Sequence, residues 1–196
     1  MLKQISCNKK NYEKKLFSYV NKGGIENKKR SKIVKHIIDQ VKKNKNKALL
    51  NYSNRFEKNM FTDFKSMKVS AKEIDNAFNL CSKEFHNSVK LAVKRITSYQ
   101  KKLMPKNISY KDQYGIKLGS IWSPLSSCGL YVPGGKAFYP SSVLMNGIPA
   151  KIAGVKRIVI TTPASNKQLR PEILVAAKEV GINEIYKVGG AQAIAA

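Results

Sequence analysis

Three apolar β-type runs in the last third of the chain restrict the fold more than any other feature. Cys128-Gly129-Leu130-Tyr131-Val132, Arg157-Ile158-Val159-Ile160-Thr161 and Glu184-Ile185-Tyr186-Lys187-Val188 begin 29 and 27 residues apart, with helical stretches between them. That interval is the span of a βαβ unit, in which a crossover helix returns the chain to start a parallel strand. The punctuation agrees. Pro133-Gly134-Gly135 closes the first run, and Ser141 or Ser142 can cap a helix through Ala153 with Gly154 as its C′ residue. Pro171 and Glu172 open a helix that ends at Gly181, and Gly189-Gly190 follows the third run. The expected fold is α/β. Residues 119–196 form the first half of a Rossmann-like doubly wound parallel sheet, and residues 1–118 form a mainly helical region with short strands.

Within 1–118, Ile33, Val34, Ile37, Ile38 and Val41 recur at helical spacing, and Ala48, Leu49, Tyr52 and Phe56 continue a second face after the polar break Lys43–Lys47. Ser70-Ala71-Lys72-Glu73 is a capping box that opens a short helix. Ser82 can cap a longer one, striped by Phe85, Val89, Ala92, Val93, Ile96, Tyr99 and Leu103 and stopped by Pro105. Ile108–Tyr110 and Ile116–Trp122 alternate like short strands. The last residues, Gly190–Ala196, begin a helix whose apolar face has no further partner. A parallel sheet needs cover on both faces, so the expectation is the N-terminal part of a longer protein.

The chain has 37 Lys and Arg against 12 Asp and Glu, a formal charge of +25. That excess invites a nucleic-acid reading. However, 32 of these residues are Lys and only 5 are Arg, whereas phosphate and base recognition favours the planar Arg fork. Lys, Asn, Ile and Tyr are abundant together, as in A/T-rich coding, which loads solvated faces with Lys. Residues 1–118 hold 29 basic and 9 acidic side chains against 8 and 3 in 119–196, so the excess lies away from the glycine turns. The expectation is a solvated Lys-rich surface and no nucleic-acid partner, with a nucleic-acid-binding protein as the alternative. No apolar run reaches the ~18–20 residues that span a bilayer, and Met1–Ser6 lacks the start of a secretory signal. Cys7, Cys81 and Cys128 are odd in number and widely spaced, as free thiols in a reducing cytosol would be. The expected location is cytoplasmic, with no membrane partner.

In an open α/β sheet, ligands bind beyond the carboxyl ends of the strands. Both glycine pairs sit there, and glycine lets the backbone approach an anionic or planar ligand closely. Neither pair makes G-x-G-x-x-G, and each can equally be a tight turn. Tyr131 offers a flat ring with a hydroxyl, and Gln192 a paired amide donor and acceptor; a packed strand tyrosine and a solvated glutamine are the plain alternatives. His36 and His86 lack further ligands at metal-binding spacing. Ser141 and Ser142 lack a nearby base, and Glu172, Glu179 and Glu184 lack an acid/base partner. This stretch contains no complete catalytic apparatus.

Four segments in order carry a resemblance: Gly129–Gly135, Tyr139–Asn146, Pro149–Val155 and Gly189–Ala196. With looser agreement at Ala48-Leu49, Tyr52-Ser53, Arg55-Phe56, Val69-Ser70 and Arg95-Ile96, the chain resembles the histidinol dehydrogenase family. The resemblance implies a cytosolic homodimer that oxidises L-histidinol to the aldehyde and then to L-histidine, in histidine biosynthesis. Two NAD are used in succession, one zinc ion holds the substrate, and a glutamate–histidine pair moves protons. It places Tyr131 and Gln192 at NAD and puts the zinc ligands and the acid/base pair beyond Ala196. No catalytic or metal residue is therefore expected in this chain, which on its own is expected to be inactive; a non-catalytic remnant of the enzyme is a further alternative. The chain departs from the family pattern at Lys45-Asn46, where Gly-Asp is usual. It departs again at Tyr99-Gln100 and Leu103, where the family usually has Phe-His and a later Gln.

Overall fold

The computed structural model describes residues 5–8, 10–57, 60–134, 138–164 and 166–196, with the backbone alone for 21–28. Gly135, the second residue of the first glycine pair, lies outside the described residues.

The expected βαβ units form. Strands β3 (Ser127–Tyr131), β4 (Arg157–Thr162) and β5 (Glu184–Lys187) make a parallel sheet in the order β3-β4-β5. Register pairs Gly129 with Val159 and Ile160 with Ile185. The crossovers are α4 (Pro140–Ile152) and α5 (Pro171–Val180), and α6 (Gly190–Ala195) follows β5. Gly181 ends α5 at φ 78°, the left-handed C′ position in which a Cβ is costly, and its amide donates to the carbonyls of Ala177 and Lys178. The start of α4 differs from expectation. Neither Ser141 nor Ser142 is the N-cap; Pro140 occupies the first turn and Tyr139 precedes it without a capping side chain. Proline already fixes φ for a helix start and has no N–H to satisfy, so a serine cap is dispensable there.

Ahead of the sheet, α1 (Tyr12–Glu57) bends at Lys45, and α2 (Ala71–Leu80) and α3 (Lys83–Leu103) follow. Both sides of the capping box are made: the Glu73 amide donates to Ser70 Oγ and the Ser70 amide donates to Glu73 Oε2. Ser82 caps α3 by accepting from the Phe85 amide. A short hairpin, β1 (Ile108–Lys111) with β2 (Lys117–Ser120), pairs antiparallel and is exposed along its whole length.

The core lies on one face of the sheet. Ile158 and Ile160 of β4 and Ile185 of β5 bury against Val143, Leu144 and Ile148 of α4 and Ile173, Val175 and Ala176 of α5. Ile74 and Ala77 of α2 and Val89 of α3 extend the same cluster. The α3 seam runs out earlier than its pattern implies, since Tyr99 and Leu103 are exposed. On the opposite face, Gly129, Tyr131, Val159, Thr161 and Tyr186 line a concavity of about 560 Å³ that reaches Ala193 and Ile194 of α6. The second half of α1 packs against α6, with Ile37, Val41 and Ala48 meeting Ala191 and Ala195; Ile33 and Val34 of the same stripe are exposed. This contact carries the end of α1 to the carboxyl edge of the sheet.

Candidate functional site at the carboxyl edge of the sheet

The ends of the three strands meet around Pro163, the residue after β4. A Cβ placed on Gly134 would stand 2.9 Å from the Pro163 carbonyl oxygen, and one on Gly189 would stand 2.7 Å from Pro163 Cβ. Real Cβ atoms do not approach that closely, so both turns require glycine for packing on the same proline. The two glycine turns therefore share one edge. Tyr131, the last residue of β3, spans the gap between them: its hydroxyl accepts from the Gly190 amide at 3.3 Å, and 37% of its surface remains exposed. The tyrosine is not a packed strand residue.

Gln192 behaves differently from the solvated glutamine that its position after Gly189-Gly190 allows. It is 1% exposed, and its Nε2 donates to Glu57 Oε1 at 3.3 Å. Glu57, the last residue of α1, is the group that sequence reasoning missed. Its Oε1 also accepts from the Gly189 amide at 2.8 Å and from Ser53 Oγ at 3.5 Å, while Oε2 accepts from the Ala164 amide at 3.4 Å. Burial raises the Glu57 pKa above its ordinary 4.5, and the bonds from Gly189, Ala164, Ser53 and Gln192 pull against that rise. One local sign was available. A carboxylate in the last turn opposes the helix dipole, so its placement calls for a partner elsewhere; those partners lie 107 to 135 residues away.

A second carboxylate anchors the same edge. Lys187, buried at the end of β5, pairs with Glu73 of the capping box. Burial pushes Glu73 up, but the Lys187 and Ser70 hydrogen bonds outweigh it and hold its carboxyl below 4.5. Farther from the edge, Glu184 accepts two bonds from Arg157, at 3.0 and 2.7 Å, clipping the starts of β4 and β5.

The remaining candidates have structural surroundings. The ring of His86 stacks on Phe78, with Nε2 3.0 Å from the Phe78 carbonyl oxygen, and His36 is exposed. Cys7, Cys81 and Cys128 are free thiols. Among the described residues no group of three or more His, Cys, Asp or Glu could hold a metal ion, so these residues do not fit a zinc site. Among the same residues, no helix is long and apolar enough to cross a membrane. Among the described residues, the edge offers the exposed Tyr131 ring beside glycine turns that pack on Pro163.

Residues 20–196 match the sequence profile of the family described as Histidinol dehydrogenase. A histidinol dehydrogenase of Rhizobium meliloti is 48% identical over 164 residues, which cover 84% of this chain and 38% of that protein. The histidinol dehydrogenase of Caldanaerobacter subterraneus subsp. tengcongensis is 46% identical over 177 residues, 90% of this chain and 40% of that one. The crystal structure of histidinol dehydrogenase from Elizabethkingia anophelis superposes with a TM-score of 0.78 at 36% identity, over 84% of this chain and 38% of that one. The chain thus spans about two fifths of the length of the relatives it matches.

Proposed function

Because this chain belongs to the histidinol dehydrogenase family, we propose that its sheet edge forms one wall of the NAD site of a histidinol-oxidising enzyme. The activity is the oxidation of L-histidinol to L-histidine in two successive NAD-dependent steps. The observation that carries this reading is the Tyr131 hydroxyl bonded to the Gly190 amide, where two glycine turns close on Pro163. NAD, when bound, supplies the hydride acceptor. Tyr131 would meet it through its exposed ring and hydroxyl. Gln192 would meet it through the oxygen end of its carboxamide, which lies against Gly190, while the nitrogen end stays on Glu57. Gly134 and Gly189 would keep the edge open by letting the backbone close on Pro163 without side chains in the way.

Among the described residues no group of three or more His, Cys, Asp or Glu could hold the zinc ion that the family implies. The same reading includes a homodimer in the cytoplasm and no turnover by the 196 residues alone. Histidinol-dependent NADH formation by the complete gene product, abolished by a chelator and restored by zinc, is the expected result. A folded complete gene product that forms no NADH would overturn it.

A further inference from the structure

We infer that Glu57 is a positioning residue for the nucleotide site: its carboxylate sets the turn between β5 and α6, and through it the placement of Tyr131 and Gln192. This rests on the NAD reading above. Four donors from separate places converge on one side chain: Ser53 Oγ, the Ala164 amide, the Gly189 amide and Gln192 Nε2. An ionised carboxylate only accepts, so it satisfies all four at once and fixes the sense of each. The nitrogen end of the Gln192 carboxamide must face Glu57. Its oxygen end is thereby turned to Gly190, where a Cβ would stand 2.6 Å from Gln192 Oε1.

The two consecutive amides of the turn are held unequally. Gly189 is buried and makes the 2.8 Å bond to Glu57, whereas Gly190 is exposed and makes the 3.3 Å bond to Tyr131. The short buried bond is the anchor, and the tyrosine contact depends on where that anchor holds the turn. The helix dipole disfavours a carboxylate in the last turn of α1, and within α1 Ser53 Oγ bonds it at the long distance of 3.5 Å. Its partners at the exits of β4 and β5 account for its placement.

The test is NAD+ titration of the chain by calorimetry, with amide hydrogen exchange at Ala164 and Gly189, for wild type, Glu57→Gln and Glu57→Ala. Glutamine keeps one acceptor oxygen, which stays with Gly189 and Gln192, and turns its NH2 against the Ala164 amide. Expected for Glu57→Gln are faster exchange at Ala164, unchanged exchange at Gly189, and an NAD+ Kd raised about threefold or less. Glu57→Ala leaves every donor without its acceptor; both amides are expected to exchange at least ~10-fold faster and the Kd to rise about 10-fold. Faster exchange in Glu57→Ala with an unchanged NAD+ Kd would reduce Glu57 to a stability role and overturn the assignment. Tighter NAD+ binding would also overturn it, because Glu57 would then be withholding Gln192. Should Glu57→Ala not fold, an unchanged Ala164 exchange rate in Glu57→Gln overturns it. Wild type that takes up no NAD+ defeats the dinucleotide reading itself, whereas equal uptake by all three proteins defeats the Glu57 assignment alone.

Discussion

Lys45 is expected to lower the stability of this chain, and replacing it with glycine should recover what is lost. Its backbone sits at φ 47° and ψ −129° inside α1, neither helical nor extended. This is the conformation of the first central residue of a type II′ turn, which glycine occupies freely and a residue with a Cβ does not. Holding a non-glycine residue in such a region costs about 1–3 kcal/mol. Glycine also loosens the unfolded chain, which takes back about 0.4–1 kcal/mol. The net expectation for Lys45→Gly is a stabilisation of about 1 kcal/mol, or about 2–4 °C in Tm for a chain of this length. Lys45 is exposed in a chain of charge +25, so removing the charge alone could help slightly. Lys45→Ala isolates that contribution, because it removes the ammonium and keeps the Cβ. Urea unfolding followed by circular dichroism should give Lys45→Gly a higher midpoint than both wild type and Lys45→Ala, with unchanged slope. A Lys45→Gly midpoint at or below that of Lys45→Ala would refute the strain argument.

Two further substitutions probe the sheet edge. Gly189→Ala drives a methyl into the Pro163 ring, with three ring atoms inside 3.2 Å; it should destabilise by about 1–3 kcal/mol and weaken NAD+ binding, and a wild-type Tm with wild-type affinity would contradict the packing. Glu73→Gln removes the partner of buried Lys187 and should cost about 2 kcal/mol at neutral pH. The Glu73 carboxyl is held below 4.5 in the folded chain, so its contribution is present above that value and lost as pH falls through the lower folded one. Wild type should therefore lose stability more steeply than Glu73→Gln below pH ~4.5, and superimposable acid limbs in the two proteins would count against the pair.

The sheet was legible because its signals are local. Strand runs at βαβ spacing, Pro171 and Gly181 at the two ends of α5, and the Ser70–Glu73 box each specify a short stretch of backbone. The glycine turns were legible as turns, and strand order brought them to one edge. What escaped depends on tertiary partners. Glu57 gives only the faint local sign of a carboxylate in a last helical turn, because its acceptor role joins residues more than a hundred positions apart. Gln192 was legible as a candidate contact, with a solvated side chain as its alternative, but its burial and its bond to that same carboxylate were not. The serine caps assigned to α4 failed for the opposite reason: two adequate local starts competed, and Pro140 preset the helix before Ser141 could cap it. The polar tract Lys43–Lys47 read as a break between helices, and the structure concentrates that break in the backbone of a single residue, Lys45.

The claim on which the rest depends is that NAD meets this chain at the carboxyl edge of the β3-β4-β5 sheet. Titrating the 15N-labelled chain with NAD+ while following its amide resonances tests it most directly. The account requires saturable shifts concentrated at Tyr131, Gly134, Gly189, Gly190 and Gln192. Shifts scattered over the lysines of α1 and erased by salt, or no shifts at all, would contradict it.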